Sequence, residues 1–107
     1  MIEIKNIFSD LPSELSQEIF QNILNDNNFK IERIISKGQS TPFGQWLEQE
    51  LNEWVILLQG SAELLFEENM QKIKLRPGDY LFIQSHTKHR VEATDKEKET
   101  IWLAFHL

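Results

Sequence analysis

From Lys30 onward the chain is a series of short β-type segments, each closed by a turn signal, and this rhythm limits the fold more than any other feature. Lys30 to Ser36 is β-branched and alternating, and Lys37-Gly38-Gln39-Ser40-Thr41-Pro42 reads as a loop. Gln45 to Gln49 predicts a short strand and Glu50-Leu51-Asn52 a turn. Glu53 to Gln59 is a strongly apolar strand that stops at Gly60. Ala62 to Glu67 and Gln71 to Leu75 predict a hairpin about Glu68-Asn69-Met70. Arg76-Pro77-Gly78-Asp79 predicts a tight turn, because proline presets φ and glycine supplies φ > 0. Tyr80 to Ile83, Arg90 to Ala93 and Thr100 to Leu107 complete the series, with Thr94 to Glu99 as a charged, solvated loop tip. Many short strands with regular turns imply an all-β sandwich or barrel.

The first 29 residues read differently. Met1 to Phe8 predicts a short edge strand. Asp10-Leu11-Pro12-Ser13 then resembles a helix start, with Ser13 as N-cap and Glu14 in the first turn, where the dipole favours an anion. Leu15, Ile19, Phe20, Ile23 and Leu24 recur at three- and four-residue steps, and Asn25-Asp26-Asn27-Asn28 closes the segment. The spacing predicts one amphipathic helix over about 13–25 that covers a sheet. The expectation is a single domain over residues 1–107, its barrel starting at about residue 29.

At 107 residues the chain can bury a core of its own without staples. Its net charge of −6 argues against broad binding to nucleic acid or an anionic membrane surface. There are no cysteines, hence no disulfides, thiolate metal sites or cysteine nucleophiles. Met1-Ile-Glu-Ile-Lys-Asn lacks the charged-then-apolar order of a signal segment, and no apolar run approaches the ~20 residues of a membrane span. A cytoplasmic location is expected. No glycine-rich phosphate loop is present, and no motif sets a serine beside a histidine and an acid.

The chemistry-bearing side chains concentrate between Gln45 and Val91. Gln49, Glu53, His86 and His89 fall among the β segments, and a carboxylate with imidazoles inside a small barrel makes a candidate divalent-metal site. The spacing of these residues resembles the cupins, small double-stranded β-helix barrels, over roughly Phe29 to Leu107. Glu53-x6-Gly60 matches the end of the first cupin motif. Gln49 and Leu47 stand at the two histidine positions of that motif. In the second motif Gly78 and His89 match, while Gln84, His86 and Ala93 replace its proline, glycine and asparagine. The run Trp46, Gln49, Glu53, Trp54, Val55 also resembles a group of small single-domain cupins.

The resemblance implies an all-β jelly-roll barrel with one N-terminal α-helix. It implies a divalent transition metal (Fe, Mn, Ni, Cu or Zn) held by Glu53 and His89, with Gln49 and His86 as possible additions. Against this, Leu47 cannot ligate and a neutral amide is a weak ligand. Glu53 and His89 could instead form a hydrogen-bonded buried pair, Gln49 could simply orient Glu53, and His86 could point to the barrel mouth. His106, on a face with Trp102 and Ala104, reads as a packed, hydrogen-bonded histidine. Arg90 reads as half of a surface ion pair. The functional expectations are a metal-dependent enzyme on a small molecule, a non-catalytic small-ligand module, or an interaction protein. Trp54, Ile56 and Leu58 should face outward from their strand and need cover, so a homodimer is expected.

Overall fold

The computed structural model describes all 107 residues, and eight strands form two antiparallel sheets. The strands are β1 (Ile19–Asn25), β2 (Lys30–Ser36), β3 (Glu53–Gln59), β4 (Ala62–Phe66), β5 (Gln71–Leu75), β6 (Tyr80–Ile83), β7 (His89–Thr94) and β8 (Thr100–His106). One sheet runs β1-β2-β8-β3-β6 and the other β5-β4-β7. A single 3-10 turn at Glu68–Met70 joins β4 to β5. No helix is long and apolar enough to cross a membrane.

Alternation places the core between the sheets. Glu53, Val55 and Leu57 of β3 point inward beside His106, Ala104 and Trp102 of β8, their register partners. Ile34, Leu64, Leu75 and Ile83 meet them from the other strands and form one buried cluster. Gly60 is the most closely packed of the four glycines. Its φ is +87°, and a Cβ placed there would lie 2.3 Å from Thr100 Oγ1 and 2.7 Å from Thr100 Cα.

The N-terminal helix is not formed. Residues 19–25 instead make edge strand β1, paired with β2 from Ile19↔Ile35 to Asn25↔Lys30. The polar run Asn25-Asp26-Asn27-Asn28 is the turn of that hairpin, closed by the Asp26 N–H to Phe29 carbonyl bond of 2.8 Å. The apolar stripe does not alternate as a half-buried strand would, and Phe20, Ile23 and Leu24 are left exposed, so pairing with β2 rather than the apolar pattern makes this segment a strand. Phe20 is consequently 58% exposed at the cavity rim rather than buried under a helix. Met1 to Phe8 forms no strand.

Buried Arg33 ties residues 7–10 to the large sheet. From the outer face of β2 its guanidinium donates to the carbonyls of Ile7, Ser9 and Asp10 and to the Gln21 side chain. Asp10, the last of these residues, has a non-helical φ of 55°. The N-terminal segment therefore crosses the outer face of the large sheet near β1 and β2. The rest of that face is bare. There Trp54 packs on Phe105 at 5.5 Å and Tyr80 at 5.4 Å, and Tyr80 and Phe82 remain exposed.

Candidate functional site

The barrel encloses a cavity of about 250 Å³ that opens at one end. Its wall is mostly apolar, including Ile34, Val55, Leu64, Ile83 and Trp102. Its polar groups are Glu18, Glu32, Glu48, Gln49, Glu53, His89 and His106.

Three lining residues, Leu47, Glu48 and Gln49, reach the wall from the loop before β3. Leu47 forms an isolated bridge with His89, its N–H donating to the His89 carbonyl at 2.7 Å and its own carbonyl accepting at 3.0 Å. The predicted strand at Gln45 to Gln49 is reduced to this one bridge. Arg90 steadies the same loop by donating to the carbonyls of Thr41, Pro42 and Gln45, while also pairing with Glu92 at 3.2 Å. Gln49 is thereby set beside Glu53, and its Nε2 donates to Glu53 Oε1 at 2.8 Å.

His89 is 6% exposed, stacked on Phe66 at 5.7 Å, and bonded through Nδ1 to the Thr87 carbonyl at 2.9 Å. A carbonyl only accepts, so Nδ1 carries the proton and Nε2 the lone pair.

His86 lies elsewhere. Its side chain is 64% exposed, it faces Glu48 at 3.5 Å, and it does not line the cavity. Its φ is 62°, a left-handed conformation that accounts for glycine at this position of the cupin motif. The expectation of His86 as an added ligand beside Glu53 and His89 is corrected by this geometry.

The motif match does not include Glu32 or Glu18. Glu32 and His106 are both buried, and Glu32 Oε1 lies 2.8 Å from His106 Nε2. His106 is the register partner of Glu53, which brings this pair alongside the motif residues. Strand parity carried a signal for it: Glu32 shares the inward face with Ile34, and His106 with Ala104 and Trp102. Glu18, just before β1, lines the rim and accepts a hydrogen bond from Ser36 Oγ. Burial pushes its carboxyl above the ordinary value of 4.5, and the Ser36 bond opposes the rise.

That shift fixes a pH dependence. The folded state holds the Glu18 proton more tightly than the unfolded chain, so the group favours folding below pH 4.5 and loses that contribution as pH rises through its folded value. Glu18→Gln keeps an acceptor for Ser36 and carries no charge. Its thermal midpoint should match the parent's below pH 4.5 and exceed it increasingly toward pH 7. A constant offset across pH in thermal melts would count against this account of Glu18.

A resident transition-metal centre takes three or four convergent protein donors. No three His, Asp or Glu side chains converge in that way. Glu53 and His89 share the wall, but Gln49 turns its N–H toward Glu53 and His106 is engaged by Glu32. The donor set does not fit a closed or catalytic metal centre.

Comparison with known proteins places this architecture. The cupin domain model matches residues 33–106. A candidate mannose-6-phosphate isomerase from Ralstonia eutropha JMP134 superimposes with a TM-score of 0.93 at 42% identity, over 98% of this chain and 97% of that one. A cupin superfamily protein from Desulfitobacterium hafniense DCB-2 follows at 0.74 and 22% identity, over 91% and 83% of the two chains. The cobalt(II) form of HppE in complex with Tris buffer gives 0.70 at 14% identity, over 84% and 53%. The last two likenesses concern the fold alone. No curated protein matches the sequence. With the family model spanning the barrel and a 42% identical structure covering nearly the whole chain, this protein belongs to the cupin domain family.

Proposed function

We propose that this cupin binds a small organic molecule directly on protein groups in the barrel, with Glu53, oriented by Gln49, and His89 as its polar contacts. The observation that supports it is the cavity itself: an apolar wall of about 250 Å³ carrying a few fixed polar groups, which is how small-molecule sites are built. No reaction is assigned. A sugar phosphate, suggested by the name of the Ralstonia protein, is disfavoured because no Lys or Arg lines the cavity to meet a phosphate.

The metal reading keeps one observation in its favour. The Thr87 carbonyl fixes the His89 tautomer in the way outer partners orient ligating histidines. It lacks a third donor.

Benzyl alcohol serves as a neutral probe of the cavity. Titrated into isotopically labelled protein, it should shift the amide signals of Leu47, Gln49, Val55 and His89 first. Val91→Phe, which narrows the cavity wall, should abolish the effect. Shifts confined to the outer surface, or persistence of the effect in Val91→Phe, would reject the site.

For assembly, we place a two-fold contact on the bare outer face of β3, β6 and β8, around Trp54, Tyr80 and Phe82. An apolar patch of this kind marks a partner surface. Sedimentation equilibrium should give a dimer mass that falls to monomer in Trp54→Glu. A monomer mass for the parent chain would rule out the pairing.

A further inference from the structure

The polar groups of the cavity are nearly all acceptors. His89 spends its N–H on the Thr87 carbonyl and turns a lone pair, Nε2, to a site where it has no protein partner. His106 is engaged through Nε2 by the Glu32 carboxylate, and in the neutral ring its Nδ1 is an acceptor. Glu53 has one oxygen held by Gln49 and the other open. The Trp102 N–H is spent on Ser36 Oγ at 3.3 Å. One N–H of Gln49 is the donor left over. The charge balance runs the same way: the wall has four glutamates and no Lys or Arg. Glu48 faces His86 outside, and Lys30 stands 3.7 Å from the second oxygen of Glu32. Neither contact neutralises Glu53. An entering ligand must therefore bring both the donors and the positive charge.

We infer that the cavity selects a compact organic ammonium, a primary or secondary amine on an apolar body, with the ammonium on Glu53 and His89 Nε2. This rests on the reading of the cavity as a small-molecule site and adds the ligand's class. An ammonium offers several N–H donors to a carboxylate oxygen and an imidazole lone pair, and hydrogen bonds assisted by charge are about twice as strong as neutral ones. The hydrocarbon body meets Ile34, Val55, Ile83 and Trp102. A carboxylate or phosphate ligand would be desolvated beside like charges with nothing to pair it. A metal ion would also seek acceptors, but it needs three that converge, whereas an ammonium is held by two.

Benzylamine, benzyl alcohol and benzoate share one ring and differ in charge, so they isolate this term. Titrations at pH 7 in the presence of EDTA should rank benzylamine about tenfold tighter than benzyl alcohol, a gap of about 1.4 kcal/mol, with benzoate weakest. Glu53→Gln should close the gap between amine and alcohol. The ranking is read on the parent chain, so it stands whether or not that variant folds. Equal affinities, or a preference for benzoate, would overturn the ammonium assignment and leave the cavity reading intact. Failure of all three probes to bind would overturn both.

Discussion

Gly60→Ala should destabilise the barrel by about 3 kcal/mol or more, enough to leave much of a marginally stable chain unfolded. Two costs coincide at this residue. Its φ of +87° is left-handed, and an added Cβ would lie 2.7 Å from Thr100 Cα and 2.3 Å from its hydroxyl oxygen. Thr100 is fully buried and begins β8, so it cannot retreat without shifting a central strand. Gly78→Ala separates the two costs. Gly78 has φ +94°, but a Cβ there meets nothing within 4 Å, so only backbone strain of about 1–2 kcal/mol should appear. Urea unfolding of both variants checks the difference. Similar losses at the two positions would mean that the approach of Thr100 is not what requires glycine at position 60.

Trp102→Ala should cost about 3–5 kcal/mol. Trp102 is 4% exposed and sits at the centre of the inner face, opposite Ile34 on β2 and Leu57 on β3. Truncation leaves a void in the core and takes the indole N–H away from Ser36 Oγ. Because the same side chain forms part of the cavity wall, the variant should also loosen benzyl alcohol binding. Trp102→Phe should recover a large part of the stability, since most of the loss is packing. A loss under about 1 kcal/mol on truncation, again from urea unfolding, would place the centre of the core elsewhere.

Much of the barrel was legible in the sequence because alternation and turn chemistry agreed. Lys30 to Ser36, Glu53 to Gln59, Gln71 to Leu75 and Tyr80 to Ile83 form strands at those bounds. The reading failed where local pattern was ambiguous. Leu15, Ile19, Phe20, Ile23 and Leu24 fit a helical stripe, but Ile19–Asn25 could also extend the sheet beside β2, and no local signal showed that Arg33 would capture the carbonyls before it. That contact spans more than twenty residues.

The site divided in the same way. Glu53, Gln49 and His89 were found through the resemblance to the cupin motifs, and the structure brings them to one cavity. The Gln49 to Glu53 hydrogen bond matches the reading of Gln49 as an orienting group. His106 is the packed, hydrogen-bonded histidine that its apolar strand suggested, but its partner Glu32 lies 74 residues away and only the pairing of β2 with β8 reveals it. His86 was misjudged because nearness in sequence to His89 says nothing of direction when His86 itself takes a left-handed backbone conformation.

Glu53 and His89 are proposed to meet an organic ligand without a resident metal. The benzyl alcohol titration, repeated on tag-free protein before and after exhaustive dialysis against a chelator, tests it most directly. The account predicts the same affinity and the same shifted amides in both samples. Binding that disappears on chelation and returns with a stoichiometric divalent metal, in the parent chain but not in Glu53→Gln or His89→Ala, would contradict it.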